Sequence, residues 1–83
     1  MDFQIENTRI FSVDESGKLL AEITFPKEEK GYCINHTFVD ESLRGQGIAS
    51  KLVEMAVAEI KKQEGEVTAI CPYAVKWLEK HPQ

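Results

Sequence analysis

An α+β fold with element order β-β-β-α-β-α is predicted by three features of this chain. Apolar residues recur at every second position in runs between Arg9 and Val39, they recur at helical spacing from Gly47, and a lone β-rich run, Val67 to Ile70, follows that helix. A strand, a helix and a further strand in one sheet make a right-handed crossover. The last strand is therefore expected parallel to the third and beside it, after an antiparallel meander of three.

Arg9 to Asp14 alternates weakly, and Asp14-Glu15-Ser16-Gly17-Lys18 carries the residues of a tight turn. In the second strand Leu19, Ala21, Ile23 and Phe25 share one face, Glu22 and Thr24 share the other, and Pro26 ends the run. A polar segment, Lys27 to Gly31, leads to the third strand. There Tyr32, Ile34, His36 and Phe38 are expected on one face and Cys33, Asn35, Thr37 and Val39 on the other. A short extra strand near Phe3 to Ile5 has only a weak signal. The helix presents Ala49, Leu52, Val53, Ala56 and Ile60 as its apolar stripe and Lys51, Glu54, Glu59 and Lys62 as its wet side, with Gly65 as its stop. After Val67 to Ile70, Pro72 breaks the strand, and Ala74, Trp77, Leu78 and His81 line one side of a final short helix. No internal repeat, linker or low-complexity tract interrupts residues 1–83, which are read as a single domain.

With 42% apolar and 29% charged residues, the 83-residue chain has the composition of one ordinary globular core. A net charge of -4 argues against nucleic acid as a partner, because duplex binding depends on a Lys/Arg-rich face. No apolar stretch is long enough to span a bilayer, and Met1 to Asn7 has neither the basic nor the apolar region of an export signal, so a cytoplasmic location and no membrane partner are expected. Cys33 and Cys71 are accordingly read as thiols. Together with His36 and His81 they lack the CxxC or HxxxH spacing that gathers metal ligands, so no metal site is expected.

The segment from Val39 to Met55, VDESLRGQGIASKLVEM, carries the clearest functional signal. A helix that starts just after a strand leaves its first N–H groups unpaired and bears a partial positive charge there. Gly45 and Gly47 let the main chain approach a phosphate without an intervening Cβ, and Arg44 adds a cation. A loop that merely turns, with its arginine in water, is the plain alternative. Two familiar phosphate loops fit poorly: the nucleoside-triphosphatase loop needs Gly-Lys-Ser/Thr at its end, and the dinucleotide fingerprint needs a third glycine where this chain has Ser50.

Arg44-Gly45-Gln46-Gly47-Ile48-Ala49 resembles the Q/R-x-x-G-x-G/A pyrophosphate loop of the GNAT acetyltransferase superfamily, in that family's position between a meander strand and a long helix. With His36-Thr37-Phe38-Val39 before the loop and the tail Cys71-Pro72-Tyr73-Ala74-Val75-Lys76-Trp77-Leu78-Glu79-Lys80-His81-Pro82, the chain looks most like the very small GNAT-like proteins, from about Arg9 to its end. The resemblance implies a minimal GNAT-like fold and acetyl-coenzyme A or coenzyme A as cosubstrate, with the pyrophosphate on main-chain amides of residues 44 to 49. The pantetheine arm is then expected in the gap where the third strand and the strand before Cys71 splay apart, pairing like an extra strand.

Acetyl transfer to an amine needs a neutral nucleophile, a donor for the oxyanion and an acid for the departing thiolate. By resemblance, the oxyanion donor is a main-chain N–H around Phe38 or Val39. The family's tail pattern Asn-x-x-Ala-x-x-x-Tyr, whose tyrosine is the acid, reads here as Cys71, Ala74 and Leu78, so that acid is missing; Tyr73 does not have the required spacing. Cys71 stands open to two readings. At a helix N-terminus its thiol titrates low and serves as proton donor or acetyl-accepting nucleophile; alternatively it is a small buried hydrophobe. His36 is either the general base or a residue satisfied on an apolar strand face. Asn35 and Thr37, on the other face, are candidates to hydrogen-bond the acetyl group or a pantetheine amide, and a strand bulge would upset these faces. The inserted helices and terminal hairpin that wall the acceptor pocket in larger members are absent, which suits an unknown amine or protein acceptor, or a non-catalytic coenzyme-binding module.

Overall fold

In the computed structural model, which describes residues 1–82, strands β1 (Gln4–Glu6), β2 (Arg9–Val13), β3 (Leu19–Thr24), β4 (Gly31–Ile34) and β5 (His36–Val39) precede a 3-10 turn (Glu41–Leu43) and helix α1 (Ile48–Lys62). Strand β6 (Glu66–Ala69) and helix α2 (Pro72–Lys80) complete the chain. Strands β1, β2, β3 and β5 form one antiparallel sheet in that order, whereas β4 and β6 form a separate parallel pair.

The weakly signalled extra strand is present, displaced by one residue to Gln4–Glu6. Asp14 organises the first turn, its Oδ1 accepting from the N–H groups of Ser16 at 2.8 Å and Lys18 at 2.9 Å, while Gly17 takes φ +90°. Alternation in β3 holds as expected: Ala21, Ile23 and Phe25 are fully buried. They pack with Ile10, Tyr32 and Ile34 against Leu52, Val53, Ala56, Val57 and Ile60 of α1 and Ala74 of α2. Each buried Val, Leu, Ile or Phe side chain of this cluster contributes roughly 1.5–3 kcal/mol on leaving water, so the cluster dominates the stability and places both helices on one face of the sheet.

Two expectations are corrected. The third strand is not continuous: it breaks at Asn35, with β5 staying on β3 and β4 leaving to pair with β6. Asn35 N–H bonds to the Thr24 carbonyl at 3.2 Å, and the Ile34 carbonyl accepts from both Ile70 (3.0 Å) and Cys71 (3.2 Å). The break shifts the alternation by one. Ile34 faces the core, but His36 and Phe38 oppose Thr24 and Glu22 on the outer face, while Thr37 and Val39 oppose Ile23 and Ala21 on the helix side. The parallel partner of β6 is thus only the first half of the expected strand.

The helix stop is also different. Glu64, at φ +61°, adopts the left-handed conformation, and the N–H of Gly65 bonds to the Ile60 carbonyl at 3.0 Å. Gly65 is required for another reason, since a Cβ there would meet the Tyr32 ring at 2.5 Å. Tyr32 in turn donates its hydroxyl to Gln63 Oε1 at 2.8 Å. Close approach recurs at Gly31, where a Cβ would fall on the main chain of Glu66 in the β4–β6 pair. Gly31→Ala should therefore destabilise the protein by about 1–3 kcal/mol through overpacking. Urea unfolding would show this as a lower midpoint at unchanged slope; an unchanged midpoint would mean that β4 and β6 are not held this closely.

Candidate active site

The break at Asn35 opens a gap between β5 and the chain leaving β6, and the loop between β5 and α1 closes its end. Asp40 starts the 3-10 turn by accepting from Ser42 through both its N–H (3.2 Å) and its hydroxyl (2.6 Å). These bonds, with Lys18 Nζ at 3.5 Å, hold the Asp40 carboxyl below its ordinary range. Beyond the turn the main chain takes positive φ at Gly45 (+84°) and Gly47 (+74°), a conformation L side chains resist.

Gly47 is the N-cap of α1, with no side-chain cap and no acidic residue in the first turn. The first helical bond runs from Lys51 N–H to the Gly47 carbonyl at 3.1 Å. Among the described residues, no acceptor meets the main-chain N–H groups from Gly45 to Ser50, and Arg44 makes no ion pair. The segment that carries these uncapped amides and the Arg44 guanidinium borders a cavity of about 250 Å³. Its lining brings together Val39, Arg44, Gly45, Gly47, Ile48 and Ala49, all expected from the sequence, with Thr37, Leu43 and Tyr73. Gln46, exposed, does not line it. Tyr73, which lacks the spacing of the family's acid, is among the lining residues all the same.

At the inner end, Cys71 Sγ lies 3.5 Å from Thr37 Oγ1, across the gap. Burial raises the Cys71 titration, but the Thr37 hydroxyl and the N–H groups of Ala74, Tyr73 and Thr37 outweigh it, so the thiol lies below its ordinary range. Those amides favour the thiolate without forming a capping bond to the side chain. Cys33 is buried and free within β4. The strand pairing also separates the two candidates for the oxyanion donor. Asp40 N–H bonds to the Leu20 carbonyl at 2.8 Å, and in an antiparallel pair such bonds alternate along the strand. Phe38 N–H is thereby committed to β3, whereas Val39 N–H points into the gap; the Phe38 side chain lies on the outer face.

His36 does not join this cluster. It stands exposed on the outer face, Nε2 at 3.4 Å from Glu22 Oε1, and Arg9 Nε holds the other oxygen of that carboxylate at 2.6 Å. Among the described residues no group of three His, Cys, Asp or Glu could hold a metal ion, and no helix is long and apolar enough to cross a membrane.

Residues 10–83 match the family described as GCN5-related N-acetyl-transferase. A GCN5-like protein from Staphylococcus aureus that carries the name N-acetyltransferase is 29% identical, with a TM-score of 0.75 over 95% of this chain and 78% of its own. A ribosomal-protein-alanine N-acetyltransferase from Brucella melitensis (16% identity, TM-score 0.69, 90% of this chain) and an acetyltransferase-named protein from Clostridium acetobutylicum solved with acetyl-CoA (17%, 0.61, 93%) share the fold. The chain spans 59% and 58% of the lengths of these two. No curated protein matches the sequence.

The thiol's surroundings yield a test. Thr37→Val removes a hydrogen bond that favours the charged sulfur, so the titration midpoint of Cys71 should rise and its thiolate fraction at neutral pH should fall. The pH dependence of iodoacetamide alkylation, followed by mass spectrometry at Cys71 with buried Cys33 as the slow internal control, measures this. A midpoint unmoved or lowered in Thr37→Val would show that the hydroxyl does not support the thiolate.

Proposed function

The chain belongs to the GCN5-related N-acetyltransferase family, and from that premise we propose that it binds acetyl-coenzyme A on the Arg44–Ala49 loop and transfers the acetyl group to an amine. One observation carries the reading: main-chain N–H groups from Gly45 to Ser50 have no protein acceptor, and Gly45, Gly47, Ile48 and Ala49 of that row line a cavity that ends near Thr37 and Cys71. Three charge-assisted bonds from such amides to a pyrophosphate, each contributing roughly 1.5–3 kcal/mol, suffice with Arg44 for affinity on the order of micromolar. The β5 edge that faces the gap supplies unpaired main-chain groups for the amides of the pantetheine arm.

Val39 N–H is the donor for the oxyanion that forms as the thioester carbonyl is attacked. The lowered titration of Cys71 favours its role as nucleophile over that of acid, because a proton donor gains from holding its proton. In that route the Cys71 thiolate attacks the acetyl carbon and the coenzyme thiolate leaves. An amine then attacks the acetyl-cysteine, the Cys71 sulfur departs as thiolate, and the amine proton passes to a base. His36 takes that proton if the amine arrives from the outer face. That face carries no helix, and the bound coenzyme would lie in the gap beside β5.

A second reading, an acyl-coenzyme A binding module without turnover, is favoured by Leu78 at the position of the family's tyrosine acid. Incubation with acetyl-coenzyme A followed by intact-mass measurement separates the two. A 42 Da adduct, the mass of one acetyl group replacing hydrogen, is expected on the wild type and not on Cys71→Ala. Absence of both adduct and turnover with any amine would leave the binding module. Gly47 tests the cradle: a Cβ built there meets nothing of the protein within 4 Å, so Gly47→Val should cost about 1–2 kcal/mol of stability for the positive φ. Its loss of coenzyme affinity by calorimetry should be larger. Equal losses would make the loop a structural turn, and no heat from the wild type at sub-millimolar coenzyme A would end the proposal.

A further inference from the structure

The outer face of the antiparallel sheet carries a row of charged contacts that ends on His36. In register, Thr24 opposes both Arg9 and His36, and Glu22 opposes both Phe11 and Phe38, so these side chains emerge on the side without helices. Arg9 Nε meets Glu22 Oε2 at 2.6 Å, and its guanidinium lies 3.7 Å from the centre of the Phe11 ring. Ring and carboxylate together fix the arginine. Arg9 thus holds one oxygen of Glu22 and leaves the other, Oε1, 3.4 Å from His36 Nε2. The hydroxyl of Thr24 gives its proton to Asn35 Oδ1 at 2.5 Å and does not compete for that oxygen.

An ion-pair row on an open sheet face ordinarily adds little to stability. Two features set this one apart. The Glu22 side chain is only 17% exposed and the imidazole 52%, so a shielded carboxylate reaches a ring whose Nδ1 has no partner among the described residues. His36 is also the first residue of β5, and the hydroxyl of its neighbour Thr37 meets Cys71. Imidazole and thiol therefore stand on opposite faces of the strand that borders the gap. At 3.4 Å the carboxylate contact is longer than an ordinary N–H···O bond, and such contacts at catalytic groups tighten once charge develops.

We propose that Glu22 is a positioning residue for acetyl transfer: it turns His36 Nε2 toward Oε1, leaves Nδ1 to take the amine proton, and stabilises the resulting imidazolium, while Arg9 fixes the carboxylate. The inference rests on the acetyl-transfer reading above. In the step concerned, the neutral amine nitrogen bonds to the carbonyl carbon of acetyl-Cys71 and the carbon–sulfur bond breaks. Cys71 leaves as thiolate, and the amine proton moves to Nδ1. The imidazolium then faces Glu22 through Nε2–H, as a carboxylate supports a histidine base in a catalytic triad. Arg9 shares that carboxylate, so the support is smaller than in a triad. Loading of Cys71 exchanges one thiolate for another and moves no proton on this face; Glu22 therefore acts on discharge alone.

Intact mass reads the two halves separately, as gain of the acetyl adduct from acetyl-coenzyme A and its loss to butylamine once free coenzyme is removed. Butylamine is small enough for the open acceptor side. Glu22→Gln, isosteric and with an oxygen left for Arg9, should load at the wild-type rate and discharge about tenfold more slowly, as for loss of a charge-assisted contact. His36→Ala should discharge about a hundredfold more slowly. The double variant should be no slower than His36→Ala, because Glu22 acts through the ring. A carboxylate that merely holds the sheet together would slow loading and discharge alike. That result, discharge of Glu22→Gln at the wild-type rate, losses that add in the double variant, or a wild-type adduct that butylamine does not discharge would each overturn this inference and leave the loading of Cys71 intact. A wild type with neither adduct nor acetylated butylamine would remove both.

Discussion

The site depends on one carbonyl. Ile34 O accepts from both Ile70 and Cys71, which pins the exit of β6 to the end of β4 just before the chain turns at Asn35 onto β3. A continuous strand would pair with β3 and β6 along its whole length and leave no gap. Because the chain divides its hydrogen bonds between two partners, the second half of the strand faces β3 on one side and no strand on the other. Unpaired main-chain groups exposed in this way invite an extended ligand. The same two bonds hold Cys71 at the mouth of the gap, within reach of Thr37.

The helix that completes the site gives up local stability. A Ser, Thr, Asp or Asn cap contributes about 0.5–2 kcal/mol over an uncapped end, and α1 begins instead with Gly47 in a left-handed conformation and no side-chain cap. The stripe from Leu52 to Ile60, buried against β3 and β5, offsets that loss several times over. Stability therefore resides in the middle and end of α1 while its start stays open for an anion. The 3-10 turn before it shows the contrast: Asp40 caps that turn fully, so the local sequence can build a cap where one is wanted.

Periodic burial explains what the sequence made legible. Ala21, Ile23 and Phe25, and Leu52, Val53, Ala56 and Ile60, follow the periods of strand and helix because one face of each meets the same core. The glycine loop was legible because positive φ at Gly45 and Gly47 demands a residue type that can be read directly. The break at Asn35 was not, since a one-residue shift in alternation leaves every residue type plausible on either face, and the side of His36 depended on it. Hydrogen bonding rather than hydropathy decides that shift. Gly65 misled for a related reason: a glycine near a helix end suggests a left-handed cap, yet its lack of a Cβ serves the Tyr32 ring. Tyr73 is polar-tipped and 43% exposed, so no burial pattern marked it as part of a cavity.

For the proposed uptake of an anionic coenzyme, an acidic protein needs its charges arranged against its total. With a net charge of -4, the long-range field opposes the approach of a phosphate. At physiological ionic strength, however, a charge is screened over about 8 Å, so only the nearest groups count. Those nearest the cradle are the α1 amides and Arg44; of the two acids that precede the loop, Asp40 is turned to Ser42 and Lys18, and Glu41 makes no ion pair with the guanidinium. The positive end of α1 is thus left uncompensated by the protein. Binding of the proposed coenzyme would then draw its energy from contact with the anion and not from distant attraction. Such a cradle would work through short hydrogen bonds and discriminate by shape and donor placement more than by charge alone.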